Sequence, residues 1–274
     1  MRLAIGGPHE AAAQASAVLT DLLASSGVQV ARTGSVVLEW PNAALPEPDL
    51  ADAFARLHGP GDGSWETPVD ELRGRVADWL RAERLRLTPP WPDGRTCAVA
   101  LVHEARPFPA EPTGLRGRLR RGRGDDGSAP YRRIADVERA CGAASALRSV
   151  DLLEPAQQAQ VRALGFALDT PPQIRIAARP GYRRGTAFPT RGFDAAAGRP
   201  DDWVEIPLLG ESANDGLPAL LAAGGGAALA VPVERFAGED AEEQAAAYAD
   251  LLERLAALGA WLTTPAALVR SLYA

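Results

Sequence analysis

The stretch Cys97-Ala98-Val99-Ala100-Leu101-Val102-His103-Glu104-Ala105-Arg106-Pro107 decides how this chain is read. An unbroken apolar run leads into His, Glu and Arg, and a proline then stops the strand from continuing. Such a run suits a strand buried on both faces, as in a parallel sheet. In these sheets the carboxyl ends of the strands open on the mouth of the fold, where ligands and catalytic groups gather. The stretch therefore predicts an α/β fold and puts His103 and Glu104 forward as functional candidates.

Downstream, strands and helices alternate. Residues 134–141 read as a helix ended by Gly142, and 145–150 as a strand. Pro155 opens a helix that Gly165 closes after Leu164. Strands are expected over 166–169, 173–177, 203–208 and 227–231, and a short helix over 217–222. The longest helix is expected over 239–258, with Ala245, Tyr248, Leu251, Leu252 and Leu255 at core-facing spacing. A strand over 260–262 and a helix over 265–272 finish the chain. Alternation of this kind argues for a parallel sheet, open or closed as a β/α barrel.

Upstream, residues 2–6, 28–31 and 35–40 read as strands. Residues 9–26 form a predicted helix, with Val18, Leu19, Leu22 and Leu23 on one side and Gly27 at its end. Shorter and longer helices are expected over 49–57 and 68–87. Gly6-Gly7-Pro8 is either a tight turn or a set of backbone N–H groups facing an anion. The prolines and Asp-Gly of Thr88–Gly94 mark the best boundary. The expected organisation is an N-terminal α/β region over 1–90 and a β/α domain over 95–274.

Composition narrows the function classes. All 29 basic residues are arginine, which removes every lysine-based chemistry. The net charge of −6 makes nucleic acid or an anionic membrane a poor general partner. The N-terminus has only a very short apolar run, so neither a signal peptide nor a membrane span is expected. A cytoplasmic location follows as an expectation, with Cys97 and Cys141 as buried thiols and no disulfide.

The later segments resemble, in order, the polysaccharide deacetylase (NodB-like carbohydrate esterase) family. VALVHEARPFP stands where that family has a His-Asp-x-Asp-x-Pro-like motif. IADVERACGAAS, RALGFALDT, RPGYRRGTAFP, DDWVEIPL and GAWLTTPAALV resemble its successive later motifs across residues 96–274. The resemblance implies a distorted β/α barrel and an ancestry in metal-assisted deacetylation of N-acetyl sugars, in which a metal activates a bound water. The family's catalytic base falls on Glu104, and its metal-binding Asp falls on Arg106, which has no lone pair to donate. The interval Ala143–Ala163 contains no histidine, and a late histidine is missing around Ala230–Val233. His9, His58 and His103 are the chain's only histidines. No metal site and no cofactor are therefore expected, and the barrel is expected to be reduced.

Several side chains remain as candidates. His103 with Glu104 could work as an acid/base pair, or His103 could be a hydrogen-bonded relic, since neighbours on a strand point to opposite faces. Arg106 could replace the lost cation by pairing with Glu104, and with Asp169 or Glu205. In RPGYRRG, Arg179, Tyr182 and Arg183 suit an anionic sugar or phosphate, or pin a loop; the resemblance implies that Arg183 orients a catalytic carboxylate. The arginine-rich Arg116–Arg123 is either a basic arm or a solvated loop. The expected function is a catalytically degenerate deacetylase homologue that binds a carbohydrate or an acidic partner in bacterial surface-polysaccharide metabolism. The alternatives are an active hydrolase on N-acyl or O-acyl sugars using His103 and Glu104, and a scaffold without a small-molecule site.

Overall fold

The structure is a computed structural model. It describes residues 2–6, 19–20, 29–30, 36–39, 75–76, 78–80, 82, 91–108, 127–168, 173–180, 189–194, 199–209 and 217–273. Near the N-terminus, β1 (Arg2–Gly6) lies between β2 (Gln29–Val30) and β3 (Val36–Glu39) in a parallel three-stranded sheet. Residues 19–20, 75–76, 78–80 and 82 are helical, inside two of the predicted helices, and Leu19, Val76 and Leu80 are fully buried. The helix expected over 49–57 and the Gly7-Pro8 turn lie outside the described residues.

Among the described residues the second sheet has seven strands. In chain order its elements are β4 (Cys97–Glu104), α1 (Ala129–Ala140), β5 (Ser145–Arg148), α2 (Pro155–Leu164), β6 (Ile174–Pro180), β7 (Thr190–Asp194), β8 (Arg199–Leu209), α3 (Leu217–Ala223), β9 (Gly226–Ala230), α4 (Ala241–Ala257), β10 (Ala260–Thr263) and α5 (Pro265–Tyr273). The hydrogen-bonded path is β10-β4-β9-β8-β6. Six strands run parallel, and β7 alone is antiparallel, against β8. Strand β4 is the hub. One of its edges pairs with β9 over Ala98–Val102. Its other edge is shared in series, β10 taking Cys97–Ala100 and β5 taking Leu101–Glu104.

Alternation along β4 sends its side chains into two separate cores. Cys97, Val99 and Leu101 face a large apolar cluster with Tyr131 and Ile134 of α1, Val161 of α2 and Leu252 and Leu255 of α4. Ala98, Ala100 and Val102 face a smaller cluster with Trp91, Ile206, and Leu268 and Leu272 of α5. The small residues of this second face let Trp91 and α5 come close. At Gly226 an added Cβ would lie 3.1 Å from the Trp91 ring and 3.3 Å from Leu268. The Trp91 indole N–H also donates to the Gly224 carbonyl at 2.9 Å. The Thr88–Gly94 break thus supplies, in Trp91, the plug of that face.

Several elements differ from their sequence expectation. Strand β4, expected from its apolar run over 96–102, continues through His103 and Glu104, because β5 pairs with those two residues. Helix α1 begins at Ala129, with Pro130 in its first turn, rather than at Ile134. The expected strand over 166–169 is reduced to a single parallel bridge, Ala167 to Ala146. Strand β7 has no counterpart among the sequence expectations. Its sequence TRGFD holds charges and a glycine, so it lacks an apolar alternation. Both cysteines are free thiols, but only Cys97 is buried; Cys141 is half-buried after the end of α1.

Candidate functional site

His103 continues the odd-numbered side of β4 and enters the large core, where it is fully buried. Its Nδ1 lies 2.9 Å from the Val231 carbonyl oxygen. A carbonyl only accepts, so Nδ1 carries a hydrogen and donates it. On the other side, Nε2 lies 2.8 Å from Oε1 of Glu138. The Tyr248 hydroxyl donates to the same oxygen at 2.8 Å, and the Ser145 hydroxyl donates to Oε2 at 2.6 Å. One proton must lie on the Nε2···Oε1 line, since two bare acceptors would repel at that distance. The group is therefore either an imidazolium facing a carboxylate or an imidazole facing a carboxylic acid. Burial, and then the nearby Glu138 carboxylate that accepts its hydrogen bond, push the Tyr248 hydroxyl well above the usual tyrosine range. This keeps it a donor.

The rings of Phe166 and Tyr248 stand edge-on to His103, with centroids 5.9 and 6.1 Å away. The network joins β4, α1, β5, α4 and the residue after β9. Every polar atom of His103 is engaged, and the ring is sealed from solvent.

Glu104 takes the opposite, even-numbered side. It opens on a cleft of about 250 Å³ at the carboxyl ends of β4, β5, β8 and β9, with walls from Val102, Leu208, Ala230 and Pro232. Arg148 of β5 lines the same cleft and is the cross-strand neighbour of Glu104. Its Nε lies 3.7 Å from Oε2 of Glu104. The Ser149 hydroxyl bonds to Oε1 of Glu104. Ser149 adopts a left-handed backbone, φ 54, which is uncommon outside glycine. That turn brings the hydroxyl to Glu104 on the neighbouring strand β4.

Arg106 goes elsewhere. Its backbone N–H donates to the Tyr131 hydroxyl at 2.8 Å, and that hydroxyl donates to the Arg106 carbonyl at 2.7 Å. This pin turns the chain toward α1, and the Arg106 guanidinium pairs with Glu234. Both line a second cleft of about 440 Å³ between the start of α1 and residues 233–238. Arg133 lines it too, bonded to the Phe236 carbonyl and to Glu242.

The structure thus separates residues that the sequence had placed together. His103 and Glu104 lie on opposite faces and form no pair. Arg106 pairs with Glu234 instead of Glu104, because Tyr131 holds its backbone on the helix side. Glu205 is half-buried on β8, with Arg175 and Thr190 as its strand neighbours, and alternation places it on the face opposite Glu104. Arg179 falls in β6 by its backbone. Asp169, Tyr182, Arg183 and the Arg116–Arg123 run lie outside the described residues, as do His9 and His58.

The partners that matter, Glu138, Tyr248, Ser145, Arg148, Ser149 and Glu234, were not singled out for such roles from the sequence. Glu138 did carry a signal. It lies four residues after Ile134, on the apolar side of an amphipathic helix, and a carboxylate there needs a buried partner. Among the described residues, no group of three or more His, Cys, Asp or Glu could hold a metal ion. No helix among them is long and apolar enough to cross a membrane. Comparison with protein-family models, with curated proteins and with solved structures finds no match for this chain.

Proposed function

We propose that this chain is a catalytically degenerate homologue of the polysaccharide deacetylases, with a reduced barrel-like fold. It binds a carbohydrate in the cleft at the carboxyl end of the parallel sheet and does not hydrolyse it. In this reading it serves bacterial surface-polysaccharide metabolism in the cytoplasm. The observation that carries the reading is the fate of the polar residues at the end of β4. His103 has both ring nitrogens bonded inside the core, Arg106 is drawn off to Glu234, and Glu104 alone remains at the cleft. A hydrolase needs a base within reach of a nucleophile and a second group to receive or give a proton. Here those roles have been traded for structural bonds. What stays is an apolar cleft with two polar groups at one end, the usual make-up of a small-molecule binding site.

The test is to incubate the protein with N-acetylated oligosaccharides, with and without added zinc or cobalt, and to follow acetate release and saccharide binding together. Binding without acetate is expected. Acetate release that depends on stoichiometric metal would overturn the reading. Neither binding nor release would favour a scaffold.

A further inference from the structure

We infer that the cleft at the end of β4 and β5 selects an acidic saccharide unit, whose carboxylate is received by Arg148. The inference rests on the carbohydrate-binding reading above and names the class of sugar.

The state of Arg148 carries it. Its one partner among the described residues is Glu104, at 3.7 Å, beyond hydrogen-bond distance. Glu104 meanwhile has a partner of its own in the Ser149 hydroxyl. The Arg148 side chain is 43% exposed and lines the cleft, so its planar fork of donors is presented there with only the long Glu104 ion pair to engage it among the described residues. A carboxylate is the small group that matches this fork with two parallel bonds.

The rest of the cleft fits a sugar ring. Val102, Leu208, Ala230 and Pro232 offer apolar walls suited to the C–H face of a pyranose. Glu104 can accept from hydroxyl groups of the same ring. The volume of about 250 Å³ is below that of a drug-sized pocket, which suits one ring. A phosphate fits less well. The lining comes from strand ends and adds no helix N-terminus, and a dianion would meet the Glu104 carboxylate with a single guanidinium to offset it.

NMR titration of the full chain at low salt with glucuronate, glucose and glucose 6-phosphate tests the inference. Glucuronate should bind at least about tenfold tighter than glucose. Arg148→Gln should lower glucuronate affinity to the level of glucose, abolishing the preference. Arg148→Lys, which keeps the charge without the fork, should recover only part of the preference. Thermal unfolding confirms that each variant is folded. Equal binding of glucose and glucuronate, or undiminished glucuronate binding by both variants, would overturn the acidic selection while leaving carbohydrate binding intact. Tighter binding of the sugar phosphate would overturn the choice of carboxylate. Binding of no saccharide at all would overturn the inference together with the reading beneath it.

Discussion

At the residue scale, the fate of His103 follows from the parity of its position. A histidine at a strand end is legible in the sequence, where a catalytic role and a hydrogen-bonded relic stand side by side. What the sequence does not show is that the odd-numbered side of β4, Leu101 and His103, faces the large core under α1, α2 and α4. The partners of His103 lie 35 residues away at Glu138 and 128 residues away at Val231. Nothing local in CAVALVHEARP announces them. Truncating one member of such a network strands the others in the core. Glu138→Ala should therefore cost about 3 kcal/mol of stability, seen as a lower urea midpoint with an unchanged slope. Glu138→Gln should cost less, because the amide still accepts from a hydroxyl and can donate to Nε2. An equal loss for both variants would deny the network its role. Cys97 provides a second prediction. Burial pushes its thiol up to about 11 from an ordinary 9.0. The folded protein thus holds this proton to higher pH than the unfolded chain does. The resulting stability is complete below about pH 9 and is lost as pH rises through about 11. Cys97→Ala should flatten that alkaline decline in unfolding experiments from pH 8 to 11.

At the element scale, the segments read correctly are those whose signals are local. Helix α2 starts at Pro155 and ends at Gly165, whose φ of 109 explains why a glycine closes it. The stripe of α4 from Ala245 to Leu255 is buried as its spacing requires. Strand β7 was illegible because only pairing with β8 makes it a strand. The same holds for the last two residues of β4, which stay extended because β5 hydrogen-bonds them. Close approaches between elements also leave testable marks. At Gly226, alanine would press on Trp91 and Leu268, and Gly226→Ala should cost about 1–3 kcal/mol. Gly259, between α4 and β10, has φ 83, and an added Cβ would lie 2.7 Å from Oγ1 of Thr96. The loss caused by Gly259→Ala should be partly recovered by Thr96→Ala, which removes the clash but not the backbone strain. Additive losses in that double mutant would refute the contact.

At the scale of the whole molecule, β4 organises the second sheet. It pairs along both edges and divides two cores, so its opening requires both cores to open. Amides of Ala98–Val102 should exchange hydrogen only by global unfolding, with the free energy measured by denaturant. Faster exchange there than in β6 would show that the hub is misplaced. The mouth of the sheet is where the functional proposal stands, and its chemistry was only half visible in the sequence. The apolar run and the abrupt change to His, Glu and Arg determined by themselves that a buried parallel strand ends there. That follows from local physics, since hydrophobic length and a proline stop need no partner to be recognised. Only the tertiary structure decided which polar group faces which side and what it meets. His103 meets Glu138 and Val231, Arg106 meets Glu234, and Glu104 meets Ser149 beside Arg148. The reason is physical. The direction of a side chain depends on strand parity and pairing register, and its charge is matched by residues that the fold brings together from far along the chain.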